Sequence, residues 1–129
     1  MFTLSENSLR NLVGVRVELQ DVVKEAIKIT VIDFGIPSTG GLRTVGEQNM
    51  LFQTGKSNDD GIENMSKHQF GSAVDFFAYV DGKASWDKYH LAMVAAAFLQ
   101  AASNLGVKVK WGGLWTSFKD YPHIELSED

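Results

Sequence analysis

Ser66-Lys67-His68-Gln69-Phe70-Gly71-Ser72-Ala73-Val74-Asp75-Phe76-Phe77-Ala78-Tyr79-Val80 is the stretch around which the rest of the chain arranges itself. From Ser72 to Val80 it reads as one strand, with Ala73, Asp75, Phe77 and Tyr79 on one face and Val74, Phe76, Ala78 and Val80 on the other. Both faces are largely apolar, so the strand is expected to be central. Asp75 is its single charge, and an unpaired buried carboxylate costs several kcal/mol or takes up a proton. It needs a partner. His68 stands just upstream, and a tight turn at Gly71 would let the two converge.

Working outward, residues 5 to 13 read as a short helical entry, and Leu19, Val22, Val23, Ala26 and Ile27 recur at helical spacing, which predicts an amphipathic helix over about 17–29. The β-branched run Ile29 to Phe34 predicts a strand that ends in the turn-rich segment Gly35 to Gly41. Thr44-Val45-Gly46-Glu47 has the form of a capping box and predicts a helix over about 45–54, closed at Gly55. Residues 56 to 65 are polar and aperiodic, as in a surface loop.

Downstream, Asp81-Gly82 marks a turn and Ser85 is the expected N-cap of an alanine-rich helix over about 86–104, with Gly106 beyond its end. Val107 to Trp111 alternates as a strand, Gly112-Gly113 turns it, and Pro122 to Leu126 alternates again with His123 and Glu125 on one face. This order predicts an α+β fold, with helices packed on a small, largely antiparallel sheet in a single domain spanning 1–129. No repeat, low-complexity segment or linker interrupts it.

The chain has 129 residues, 44% of them hydrophobic and 22% charged, which is the range of an ordinary globular domain. A net charge of −4 argues against nucleic acid as a partner. With no cysteine, a metal must be held by nitrogen and oxygen. No apolar run reaches the roughly 20 residues of a membrane span, and the N-terminus lacks the basic and apolar regions of a secretory signal. Synthesis in the cytoplasm is the expectation.

A catalytic zinc site supplies three protein ligands and leaves a position for water. His68, Asp75 and His123 would make such a set, although a lone histidine is more often a hydrogen-bonded or surface residue, and the His-x₆-Asp spacing alone does not separate these readings. His90 is expected to pack on Trp86 and is given no metal role. Asp120 could serve as base and then acid beside the metal, or could simply be a solvated loop residue ahead of Pro122. Arg43 could clamp a carboxylate or steady an oxyanion, or lie on the surface as an ordinary arginine. Trp111, Trp115, Phe118 and Tyr121 could line a groove or pack in the core, and Ser66 is a candidate donor behind a ligand.

The segment Ser66 to Asp75 resembles the S-x-H-x-x-G-x-A-x-D motif of zinc D-Ala-D-Ala carboxypeptidases and their relatives. Trp111-Gly112-Gly113-Leu114-Trp115, with Asp120-Tyr121-Pro122-His123-Ile124-Glu125-Leu126, resembles the closing motif of one branch, the L-alanyl-D-glutamate endopeptidases of phage endolysins and bacterial wall hydrolases. Gly41-Leu42-Arg43-Thr44 with Gln48, and Gly55-Lys56-Ser57, resemble upstream segments, so the likeness covers about residues 20–127.

The resemblance implies the same small α+β fold and zinc held by His68, Asp75 and His123. It also implies Asp120 as the acid/base where other branches place a glutamate, and Arg43 at the place of an arginine that contacts substrate or transition state. It further implies cleavage of the L-alanyl-D-glutamate bond in peptidoglycan stem peptides. The alternatives are a D-alanyl-D-alanine carboxypeptidase or dipeptidase of the same superfamily and a non-catalytic wall- or zinc-binding module. A monomer without a separate wall-binding module, reaching the wall through a phage pore, is the further expectation. The long approach Ile36 to Gly41, and Val15-Arg16-Val17 in place of a histidine-proline segment, depart from the commoner pattern and bear on groove shape.

Overall fold

The structure, a computed structural model, describes residues 1–128. In chain order the elements are α1 (Glu6–Asn11), α2 (Val17–Ile29), β1 (Phe34–Gly35), α3 (Val45–Gln53), β2 (Ala73–Asp75), β3 (Phe77–Val80), β4 (Lys83–Ser85), α4 (Lys88–Leu105), β5 (Val109–Trp111) and β6 (His123–Leu126). Short 3-10 turns at Lys67–Phe70 and Gly112–Leu114 complete the set. The α+β class holds, and all strand pairs are antiparallel. The sheet is divided, however, into two of three strands each, ordered β1-β3-β4 and β2-β6-β5.

The division corrects the expected continuous strand over 72–80. From Val74 on, burial does alternate, with Val74, Phe76 and Ala78 buried and Asp75, Phe77 and Tyr79 between them partly exposed. The ladder is nevertheless cut at its middle, because Asp75 N–H donates to the Gly40 carbonyl (2.7 Å) and Phe76 N–H to the Pro122 carbonyl (2.8 Å). The chain thus leaves one sheet and enters the other at Phe76. Asp75 becomes a strand end at the seam, directly across from His123 in the β2–β6 register.

Helix α4 packs on both sheets, through β3 and β5, and α2 packs on α4. The predicted stripe of α2, Leu19, Val22, Val23, Ala26 and Ile27, is buried and packs on α4, whose alanines allow close approach. Phe98 of α4 sits 5.0 Å (ring centroids) from Phe34 and 4.8 Å from Phe76, so one ring ties the helix to both the β1 end and the seam. All of this belongs to one hydrophobic cluster that also includes Ile124 of β6.

Two local expectations change. The run Ile29 to Phe34 does not pair as a strand until Phe34: α2 ends at Ile29 as read, and Thr30 closes it, its N–H on the Ala26 carbonyl and its hydroxyl on the Ile32 carbonyl at 2.7 Å. The amides leading into the strand are taken locally, Ile32 N–H by the Thr30 hydroxyl (3.3 Å) and Phe34 N–H by the Asp33 carboxylate (2.8 Å). At α4 the N-cap is Asp87, whose carboxylate accepts from Tyr89 N–H, because Ser85 is used as the last residue of β4. The Ser85 hydroxyl instead meets His90 Nδ1 at 2.7 Å, which replaces the expected His90–Trp86 stacking; Trp86 precedes the helix and packs on Phe77. The Thr44–Glu47 capping box forms as read, and Gly106 ends α4 at φ 71°.

Candidate metal centre

Three separate pieces of backbone deliver three side chains to the sheet seam. His68 rides on the Lys67–Phe70 turn, which is closed at its start by a second capping box: the Ser66 hydroxyl accepts from His68 N–H, and Gln69 Oε1 accepts from Ser66 N–H. Gly71 ends the turn at φ 70°, a left-handed conformation that a side chain resists. Ser66 therefore shapes the turn. His68 Nδ1 lies 3.1 Å from the Gly41 carbonyl, which leaves Nε2 facing Asp75. Residue 41 has to be glycine, since a Cβ there would stand 2.0 Å from the Asn11 carbonyl oxygen.

Asp75 Oδ1, His68 Nε2 and His123 Nδ1 form a nearly equilateral triangle with edges of 3.2, 3.3 and 3.3 Å. Ligands at about 2.0–2.1 Å from a tetrahedral ion stand about 3.3 Å apart, so the triangle fits one face of such a site. Two imidazole nitrogens and a carboxylate, largely buried at 3, 9 and 21% side-chain exposure, can hold a divalent metal. The open side of the triangle faces a groove of about 910 Å³ lined by Lys56, Ser57, Trp115, Phe118 and Asp120 among others.

Asp120 stands at the groove edge, its Oδ2 3.7 Å from His123 Nδ1 and its side chain 46% exposed. Its backbone is fixed from behind: Asp120 N–H donates to the Gly112 carbonyl (3.1 Å), and a Cβ on residue 112 would meet the Asp120 carbonyl oxygen at 2.2 Å. Gly112 is thus the seat of Asp120 as well as part of a turn. Of the aromatic set, Trp111 and Tyr121 pack against the core edge, with Trp111 Nε1 donating to the Tyr121 carbonyl. Trp115 lies 5.3 Å from the His123 ring, and Phe118, 83% exposed at φ 52°, stands out over the groove.

Arg43 is buried, at 9% exposure, and so is not an ordinary surface arginine. Its Nη2 donates to Asp75 Oδ2 (2.8 Å), its Nε to the Thr39 carbonyl (2.7 Å) and its Nη1 to Gln48 Oε1 (3.0 Å). Gln48 is fully buried and donates in turn to Ser57 and to the Asp59 carbonyl. Glu125 is a further member of the site: its Oε1 accepts from His123 Nε2 at 2.8 Å and its Oε2 meets Lys67 Nζ at 2.8 Å. The alternation His123-x-Glu125 carried the signal for this contact. No sequence pattern announces a backbone acceptor such as Gly41.

The charges shift one another. Burial would raise the Asp75 pKa, but hydrogen bonds from His123 and His68 and their charge hold it well below the usual carboxylate range. Asp120 is pushed up by burial and by the charge of Asp75, against the pull of His123, His68 and Arg43. Burial opposes the charged form of Glu125 too, yet His123 and Lys67 keep its pKa low. For His123, burial would lower the pKa, and the hydrogen bonds to Asp75 and Glu125 outweigh it and push it up to about 9.

Below that value the Nδ1 proton must leave before a metal can bind. At pH 7 metal binding is therefore expected to release about one proton from His123 and to tighten as pH rises toward 9. The raised pKa also stabilises the metal-free fold most fully below the ordinary histidine value of 6.5, a contribution lost as pH climbs through about 9. Titration calorimetry in buffers of different ionisation enthalpy reads the proton count, and a count near zero at pH 7 would mean that Nδ1 is already bare.

Residues 1–127 match the family described as phage L-alanyl-D-glutamate peptidase. The chain is 37% identical to the L-alanyl-D-glutamate peptidase of Escherichia phage T5 over 128 residues, covering 97% of this chain and 89% of that protein. It is 30% identical to the peptidoglycan L-alanyl-D-glutamate endopeptidase CwlK of Bacillus subtilis (strain 168) over 138 residues, covering 95% of this chain and 81% of that one. The crystal structure of the Serratia marcescens L-Ala D-Glu endopeptidase ChiX superposes with a TM-score of 0.84 at 32% identity, covering 97% of this chain and 90% of ChiX.

Proposed function

This chain belongs to the phage L-alanyl-D-glutamate peptidase family, and from that premise we propose that it is a zinc-dependent peptidoglycan hydrolase cutting the L-alanyl-D-glutamate bond of stem peptides. The observation that carries this reading is the triangle of His68 Nε2, Asp75 Oδ1 and His123 Nδ1 with the Asp120 carboxylate beside it and an open groove in front. Zinc held there would supply Lewis acidity, polarising the scissile carbonyl and making water a better nucleophile.

The remaining work falls to the protein. Asp120 takes the proton of the attacking water and delivers it to the departing D-glutamate amine; a raised pKa and an exposed carboxylate suit a group that must both accept and give. Arg43 has three donors on Thr39, Gln48 and Asp75, so its role is to hold Asp75 with Oδ1 turned toward the two histidines. Trp115 and Phe118 flank the substrate path.

We assign residues 1–129 to one peptidase domain, a reading supported by the single hydrophobic core that its elements share. Among the described residues no helix is long and apolar enough to cross a membrane. Relatives from a phage and from a bacterium, the latter named for peptidoglycan, support action on the cell wall.

Digestion of purified muropeptides with and without a chelator tests metal dependence and bond choice together. Mass spectrometry is expected to show fragments ending in L-alanine and fragments beginning with D-glutamate, absent with chelator and restored by zinc. Release of D-alanine would make the protein a carboxypeptidase. Zinc binding without hydrolysis of any wall preparation would leave it a binding module.

A further inference from the structure

We propose that Glu125 is a positioning residue of the metal centre, which by accepting a hydrogen bond from Nε2–H of His123 presents a bare Nδ1 to the ion. The inference rests on the zinc reading above and adds a part to it. A neutral imidazole carries its proton on one nitrogen or the other, and only the bare one can bind a metal. A carboxylate 2.8 Å from Nε2 can only accept, so it selects the tautomer with Nε2 protonated and Nδ1 free.

The two histidine ligands are held by the same logic with opposite nitrogens. His68 turns Nε2 toward Asp75 while its Nδ1 faces the Gly41 carbonyl; His123 turns Nδ1 toward Asp75 while its Nε2 faces Glu125. The acceptor is neutral in the first case and anionic in the second, which makes His123 the more strongly donating ligand. Its ring is thereby oriented from both ends.

Glu125 also joins the two ligand-bearing segments. Its Oε2 meets Nζ of Lys67, the residue beside His68, so the carboxylate ties the turn that carries one histidine to β6, which carries the other. Glu125 is only 10% exposed at its side chain, and both of its oxygens are engaged. A buried carboxylate is retained at a cost unless it is paired on each side, as it is here.

The test compares wild type with Glu125→Leu and Glu125→Gln by zinc competition against a chelating indicator, together with the visible spectrum of the cobalt(II)-loaded proteins. Leucine removes the acceptor, and zinc is expected to bind about 10- to 100-fold more weakly with altered cobalt bands. Glutamine keeps a carbonyl oxygen for Nε2–H and is expected to recover part of that loss. Thermal unfolding of the metal-free proteins reports whether each variant is folded. Zinc affinity within twofold of wild type in folded Glu125→Leu, or in Glu125→Gln with an unchanged cobalt spectrum should the leucine variant not fold, overturns the proposal. Failure of the wild type itself to bind zinc would instead sink the metal reading.

Discussion

Asp120→Asn is expected to lower turnover by about 10²- to 10⁴-fold while the protein keeps its zinc, because general acid–base transfer contributes that much and an amide cannot carry the proton. The substitution is nearly isosteric. The Asp120 side chain is the outlier of the site, 3.7 Å from His123 Nδ1 where the three proposed ligand atoms stand 3.2 to 3.3 Å apart. Its backbone is anchored on Gly112 independently of the carboxylate, so the loop should hold its place. Kinetics on a defined muropeptide, with metal content measured on the same sample, are expected to show a fall in kcat and little change in KM. Turnover within tenfold of wild type would remove Asp120 from the mechanism. Loss of zinc would turn it into a ligand.

The parts of this molecule that periodicity controls were legible in the sequence. The buried stripe of α2 and the Thr44–Glu47 cap follow from side chains interacting within one turn of helix, so spacing alone specifies them. The breaks were not legible. Nothing in Ala73 to Val80 distinguishes a strand that continues from one whose amides at Asp75 and Phe76 are taken by Gly40 and Pro122, because those acceptors come from remote backbone. One consequence bears on the site: the seam at Phe76 puts Asp75 at the end of β2, where its carboxylate can reach His68, His123 and Arg43 at once. An uninterrupted strand would have shown why Asp75 needs a partner without showing that it has three.

The same logic applies to the cluster. The decapeptide Ser66 to Asp75 marked two members of the cluster and the closing segment the third, since each motif is local. Arg43 was legible as a guanidinium that could clamp a carboxylate or steady an oxyanion, but the carboxylate it meets was not. Its burial against Asp75 depends on how α3 and the Thr39 carbonyl meet the sheet seam, which no spacing encodes.

Asp75→Ala is expected to abolish activity for two separable reasons. The first is loss of the metal: structural zinc sites are worth about 10–16 kcal/mol for four ligands, or roughly 2.5–4 kcal/mol per ligand, so removing one should weaken binding about 10²- to 10³-fold. The second does not need the metal. Arg43, 9% exposed, loses the carboxylate that meets its Nη2 at 2.8 Å, and breaking a buried pair from one side costs about 3–5 kcal/mol. The metal-free Asp75→Ala protein should therefore unfold at a temperature at least about 10 °C below metal-free wild type. Asp75→Asn separates the two effects, because its amide oxygen can still accept from Arg43 while its neutral head is a poor ligand. It should lose zinc nearly as badly as alanine and keep most of the metal-free stability. His68→Ala and His123→Ala should also lose the metal, and both leave the Asp75–Arg43 pair intact. If metal-free Asp75→Ala and Asp75→Asn unfolded at the same temperature, Arg43 would have no claim to a structural pairing with Asp75, and its charge would be available to the substrate after all.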